Sequence, residues 1–170
     1  MLHAICSKKQ LTALAYYAFV ADILEHANMQ QLKQFRHHVH TTRFQHSINV
    51  SYYSYLICRR FRWDAVSAAR AGLLHDFYFY ETCEYDRSTA PEQASHFATH
   101  PQLALSNAAM QFSLNAKEED MIVHHMWPVV MQKPRCKEGF VVAIVDKYIA
   151  IFEYMAPFWQ RMRQSLVGQN

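Results

Sequence analysis

Residues 70–81 read RAGLLHDFYFYE, from Arg70 to Glu81. The apolar run is of the kind a helix buries, yet it closes on His75 and Asp76 side by side. A titratable pair in that position is costly unless it is hydrogen-bonded, ion-paired or bound to a metal. The reading of this pair decides the rest of the chain.

Working outward, AVSAARAGLLHDF (65–77) predicts a helix with Asp64 as its N-cap. Its Ala68, Ala69 and Gly72 let a neighbouring helix approach closely. Upstream, Thr42 and Gln45 form a capping-box signature for a helix that ends near Phe61, with Val50, Tyr53, Leu56 and Ile57 on one face. The stretch QFRHHVHTTRFQ breaks the pattern before it. An earlier helix is expected from about Leu11 to the mid-thirties. Lys8 and Lys9 ahead of an apolar stretch loosely resemble a signal peptide, but Asp22 and Glu25 follow quickly, and an amphipathic helix is the better reading.

Downstream, Pro101 suits the first position of a helix PQLALSNAAMQF, with His100 just before it. Asn115 and Glu118 cap AKEEDMIVHHMW, which Pro128 stops. After the loop PVVMQKPRCKEG, with its basic Lys133, Arg135 and Lys137, the last clear helix is FVVAIVDKYIAIFEYM (140–155). The expected fold is therefore all-α: one domain spanning 1–170, a helical bundle of about six to eight helices, with its ligand-bearing core at about 38–155.

Composition supports this. The 170 residues are 51% hydrophobic with only three glycines, which fits a globular helical domain better than a turn-rich β fold. A formal charge of +3 argues against a nucleic-acid polymer as partner, though it does not repel a small anion. No stretch is long enough to span a membrane. Cys6, Cys58, Cys83 and Cys136 show no regular spacing, so reduced thiols and a cytoplasmic location are expected. The apolar last helix, with Trp159, suits either core or interface, and a homodimer is compatible with it.

Eleven histidines make chance adjacency common, so position carries the argument. His46 falls on its helix's apolar stripe with Val50 and Tyr53. Asp146 has Val142, Ala143, Ile149 and Ala150 as its helical neighbours, which points its carboxylate into the core. One buried histidine is ordinarily just hydrogen-bonded. Three apolar faces that each carry a buried titratable group point instead to a metal, which keeps a buried carboxylate ionised. His46, His75, Asp76 and Asp146 make one site. His100, His124 and His125 make a second, with Asp76 bridging through its other oxygen. Imidazole and carboxylate donors suit iron or manganese, and zinc, nickel or cobalt also fit; calcium and magnesium do not.

In order, His, His-Asp, His, His-His and Asp resembles the HD superfamily of metal-dependent phosphohydrolases over roughly 38–150. It looks most like the two-metal members such as the HD-GYP cyclic-di-nucleotide phosphodiesterases. TTRFQHSINVSYYSYLICRRF and SAARAGLLHDF also look like small stand-alone bacterial HD-domain proteins. The resemblance implies the same seven metal ligands: His46, His75, Asp76, His100, His124, His125 and Asp146. It departs from HD-GYP proteins where Phe79 replaces a lysine and where HHMWPVVMQKP replaces the GYP segment. Thr42 stands where some members carry a glutamate for a third metal. Neither cyclic-di-GMP nor a third ion is implied.

What is implied is a phosphohydrolase or phosphodiesterase acting on a small phosphorylated metabolite, a nucleotide or cyclic nucleotide. In such an enzyme two divalent transition-metal ions lower the pKa of a bridging water and neutralise charge on the phosphoryl oxygens. Asp76 and Arg43 are the catalytic candidates, Arg43 as a phosphate clamp. His38, His40 and Lys147 are candidates for binding substrate, and the basic loop for covering the site. Two alternatives stay open: a diiron oxygenase of HD type, and a non-catalytic metal-binding module.

Overall fold

The computed structural model describes residues 2–37, 41–86, 88 and 94–167. Among them are seven α-helices and no strand: α1 (Ala15–Leu24), α2 (Ala27–Gln31), α3 (Arg43–Arg60), α4 (Ala65–Leu74), α5 (His96–Ala109), α6 (Ala116–His124) and α7 (Lys137–Val167). The all-α bundle is as expected. None of these helices is long and apolar enough to cross a membrane. Cys6, Cys58 and Cys136 are free thiols.

The pair α3 and α4 forms the centre, with α7 laid along α3 and α6 along α4. The small residues of α4 allow it. A Cβ on Gly72 would stand 2.7 Å from Ser51 Cα, so the two backbones nearly touch there. Ser51 Oγ donates to the Ala69 carbonyl across the same contact (2.6 Å) and also meets Tyr16 Oη of α1 (2.7 Å). Ile48, Leu73, Leu74, Met121, Val142 and Ile149 are buried around this junction.

Several helix starts follow their capping residues. Thr42 Oγ1 accepts from the Gln45 amide (3.2 Å), although Gln45 does not complete the box. Its side chain instead donates to the His3 carbonyl and to Asn49. Asp64 accepts from the Ser67 amide, and Asn115 and Glu118 form a full reciprocal box.

Several boundaries differ from expectation. The long first helix is broken at Glu25–His26, because His26 Nδ1 caps a new helix by accepting from the Asn28 amide (3.3 Å). Helix α5 begins at His96, not Pro101, so the proline sits inside it. A proline this near the start costs only one backbone bond. The added turn is held by His100 Nδ1, which donates to the His96 carbonyl (2.9 Å), and by stacking of the two imidazoles. Helix α6 ends at His124, a turn short of Trp127. Helix α7 starts at Lys137 and continues through Pro157 to Val167, well past Met155. The segment beyond the proline is mostly good helix-forming residues.

Candidate metal centre

Helices α3, α4, α5, α6 and α7 each send one or more titratable side chains to a common point. His46 comes from the first turn of α3, and His75 and Asp76 from the C-cap of α4 and the residue after it. His100 comes from α5, His125 from the end of α6, and Asp146 from α7. His46, His75 and His125 are at most 1% exposed, His100 and Asp76 4%, and Asp146 7%. Among the described residues, three triplets place one ligand atom each within 4.8 Å of one another. They are His46–His75–Asp146, His75–Asp76–His125 and His37–His46–Asp76.

The imidazoles are oriented by what their Nδ1 atoms do. His75 Nδ1 donates to the Gly72 carbonyl (2.9 Å), His100 Nδ1 to the His96 carbonyl (2.9 Å) and His125 Nδ1 to the Ile122 carbonyl (2.7 Å). A carbonyl only accepts, so each ring carries its proton on Nδ1 and, when neutral, presents a bare Nε2. Those Nε2 atoms face other acceptors. His75 Nε2 is buried without a hydrogen-bond partner, 3.7 Å from Asp76 Oδ2 and 3.6 Å from Asp146 Oδ1. The Nε2 atoms of His100 and His125 face each other at 2.9 Å, and His100 Nε2 lies 3.2 Å from Asp76 Oδ1. Lone pairs converging in a buried space repel unless a cation lies among them. The donor set fits a transition metal.

The electrostatics agree. Burial works to lower the His46 pKa, yet its contacts with Asp146 and Glu153 carry it up to about 10. Burial likewise works to raise Asp76 and Asp146. The imidazoles around Asp76, and His46, His75 and Lys147 around Asp146, hold both well below the usual carboxylate range. His125 is pushed well below its ordinary value by burial and by His100 and His75. The carboxylates thus favour positive charge at the centre.

Residues not singled out in the sequence complete the arrangement. Glu153, 1% exposed, accepts from His46 Nδ1 (2.9 Å) and from Asn49 Nδ2 (2.8 Å). It stands seven residues after Asp146 on the same helix face, and that spacing was the available signal. His37 stacks on His46 with ring centres 4.0 Å apart, and its Nδ1 lies 3.7 Å from Asp76 Oδ2. Nothing in the run RHHVH distinguishes His37 from its neighbours, because a loop has no periodicity to read. His96, one turn before His100, contacts the Tyr78 and Tyr80 hydroxyls, and burial followed by His100 lowers its pKa to about 4.

Other expected residues lie elsewhere. Arg43 is fully buried. It donates to the Tyr78 carbonyl (2.8 Å) and the Tyr80 carbonyl (3.0 Å), and its guanidinium lies 3.7 Å from the Tyr78 ring centre. Its fork is occupied by the backbone that follows His75 and Asp76, so the phosphate-clamp role is replaced by a structural one. His124 faces away from the cavity beside the cluster, toward surface depressions that it lines with Val123 and Gln132; its Nδ1 donates to Asp120 Oδ1 (2.8 Å), and it belongs to none of the triplets. The basic loop does not cover the site. Lys133 and Arg135 line a shallow surface depression with Asp120, and Lys137 packs over Trp63. His38 and His40 lie outside the described residues.

Lys147 lines the cavity beside the cluster. Its Nζ is held between Asp146 Oδ2 (2.7 Å) and the His125 carbonyl (2.8 Å), at the wall of this cavity of about 400 Å³. That cavity opens onto Asp76, His100, His125 and Asp146, with Phe97, Met126 and Val129 among its apolar walls. The chain matches no protein-family model, no curated protein and no solved structure.

A carboxylate that orients a ligating imidazole contributes to metal affinity from outside the ligand set. Glu153→Ala is therefore expected to weaken metal binding roughly 10- to 100-fold, with Glu153→Gln recovering much of the loss as a neutral acceptor. Competition with a chromophoric chelator measures it. Equal affinity in the Ala variant would show that Glu153 serves only packing.

Proposed function

We propose that the chain is a metal-dependent phosphohydrolase or phosphodiesterase of HD type, acting on a small phosphorylated metabolite, most simply a nucleotide or cyclic nucleotide. The observation that carries this reading is the placement of Asp76 between two histidine sets. One of its oxygens faces His100 (3.2 Å) and His125 (3.7 Å), and the other faces His75 and His37 (3.7 Å each). His46, His75, Asp76 and Asp146 would hold one ion, and His100 and His125, with Asp76 shared, a second. Iron or manganese is the expected occupant, and zinc, nickel or cobalt suit the same donors. Such ions supply Lewis acidity toward a phosphoryl oxygen and an activated water.

The chain's own residues do the rest. The Nδ1 hydrogen bonds keep the imidazole Nε2 atoms turned inward before any ligand arrives, which is preorganisation. Lys147 is the one lysine or arginine lining the cavity among the described residues, so it is the group that meets a substrate anion there. Its two acceptors fix the ammonium in position. Phe97, Met126 and Val129 give the cavity apolar walls, and its size favours a small molecule over a polymer.

The test is reconstitution with redox-inert zinc, or with manganese, assayed without air on a panel of phosphoesters. Release of phosphate or a phosphomonoester, abolished by a chelator, is the expected result. Turnover only with iron and dioxygen would replace this reading with the oxygenase one, and metal uptake without turnover on any ester would favour a binding module.

A further inference from the structure

Helix α7 carries Asp146 and Glu153 on its inner face and something unexpected on its outer one. Ile144, Tyr148, Ile151 and Met155 are exposed, and they recur four, three and four residues apart. That is the spacing of a coiled-coil seam, with apolar residues at every a and d position. Tyr154 widens the stripe and is 67% exposed. A face on which every seam position is a large apolar side chain left in water lacks its partner.

We propose that this face pairs with the same face of a second copy of the chain, α7 against α7. Area argues for it: with Tyr154 and with Ile57 of α3 beside it, the stripe leaves several hundred Å² of large apolar side chain open, most of the roughly 800 Å² that one partner gives to an interface of standard size. Self-complementarity argues for it as well. The stripe borders an apolar groove of about 350 Å³ formed by Ile5, Tyr53, Ile57, Phe152 and neighbours, so one surface offers both protruding side chains and a place to receive them. A two-fold pair needs both on the same patch. Charge does not oppose it, since no seam position is Asp, Glu, Lys, Arg or His. Two identical faces meet without like charges on the seam. The pairing stands independently of the metal reading, yet it would brace the helix that presents Asp146.

Sedimentation equilibrium of the full chain over a concentration series tests it. A dimer is expected, and Ile151→Glu, at the middle of the stripe, is expected to raise its dissociation constant roughly 100-fold or more, because two carboxylates would be buried unpaired. Tyr148→Glu should act the same way. Both positions are exposed in the single chain, so helical content and metal content should stay at the parent values, while the melting temperature should lose the concentration dependence that association gives the parent. A parent protein that remains monomeric throughout the series overturns the proposal, as does an undiminished dimer in both variants. So does a monomer that instead binds phosphatidylcholine–phosphatidylglycerol vesicles through Ile151.

Discussion

Asp76→Ala protein is expected to purify with almost no transition metal, while folding to the same helical content as the parent. The expectation follows from how the two oxygens of one carboxylate divide their neighbours. Oδ1 serves the His100 and His125 side, and Oδ2 the His75 and His37 side. Removing the side chain takes a ligand from both sets at once, and it leaves the Nε2 atoms of His100 and His125 facing each other without the carboxylate oxygen beside them that draws a cation in. His124→Ala is the contrasting control. Its imidazole is tied to Asp120 on the far side of α6, so metal content there should be unchanged. Elemental analysis of anaerobically purified protein reads both. Full occupancy in the Asp76 variant would remove the bridging assignment, and loss in the His124 variant would return that residue to the ligand set.

Arg43→Ala is expected to be among the most destabilising single changes in the chain. The guanidinium is completely enclosed. It satisfies the carbonyls of Tyr78 and Tyr80 and packs against the Tyr78 ring, with Phe35 on another side. Truncation leaves two buried carbonyls without donors and opens a cavity the length of an arginine side chain. Together these amount to about 3–5 kcal/mol. Arg43→Lys keeps the charge but not the fork that reaches two carbonyls, so it should recover only part. Chemical denaturation measures the loss. A variant with parental stability and a raised KM would instead restore the phosphate-clamp role.

Asp146 and Arg43 show where sequence reading succeeds and where it stops. Asp146 was legible because an α-helix has a period: a carboxylate whose neighbours three and four residues away are all apolar must face inward. The same logic reached His46 and the small residues of α4, where Gly72 meets the backbone at Ser51. Arg43 defeats that logic. It also lies on a helix, but its burial depends on the Tyr78–Tyr80 segment folding back over it, a contact between positions 35 and 37 residues apart. No local pattern encodes such a return. His124 and His125 fail for a subtler reason. Adjacent residues on a helix point about 100° apart, so one of the pair can reach a site that the other misses. Spacing alone does not say which, and the preference is set by Asp120, one turn back. His37 lies in a loop, where neither period nor cap applies. The ends of α1 and α5 were missed because imidazoles at His26 and His100 make capping and turn-closing bonds normally sought from serine, threonine or asparagine.

The way the imidazoles are anchored bears on how this chain tolerates change. His75, His100 and His125 take their orientation from main-chain carbonyls one turn behind them. A carbonyl persists whatever side chain its residue carries, so substitution at Ile122, for example, leaves the acceptor in place. His46 alone among the four relies on a side chain, Glu153. Mutational drift therefore reaches the orientation of three rings only by deforming a helix, but reaches the fourth through a single codon. In a lineage of such sequences, position 153 is where loss of the centre would begin, and its retention would mark the chains that still use it.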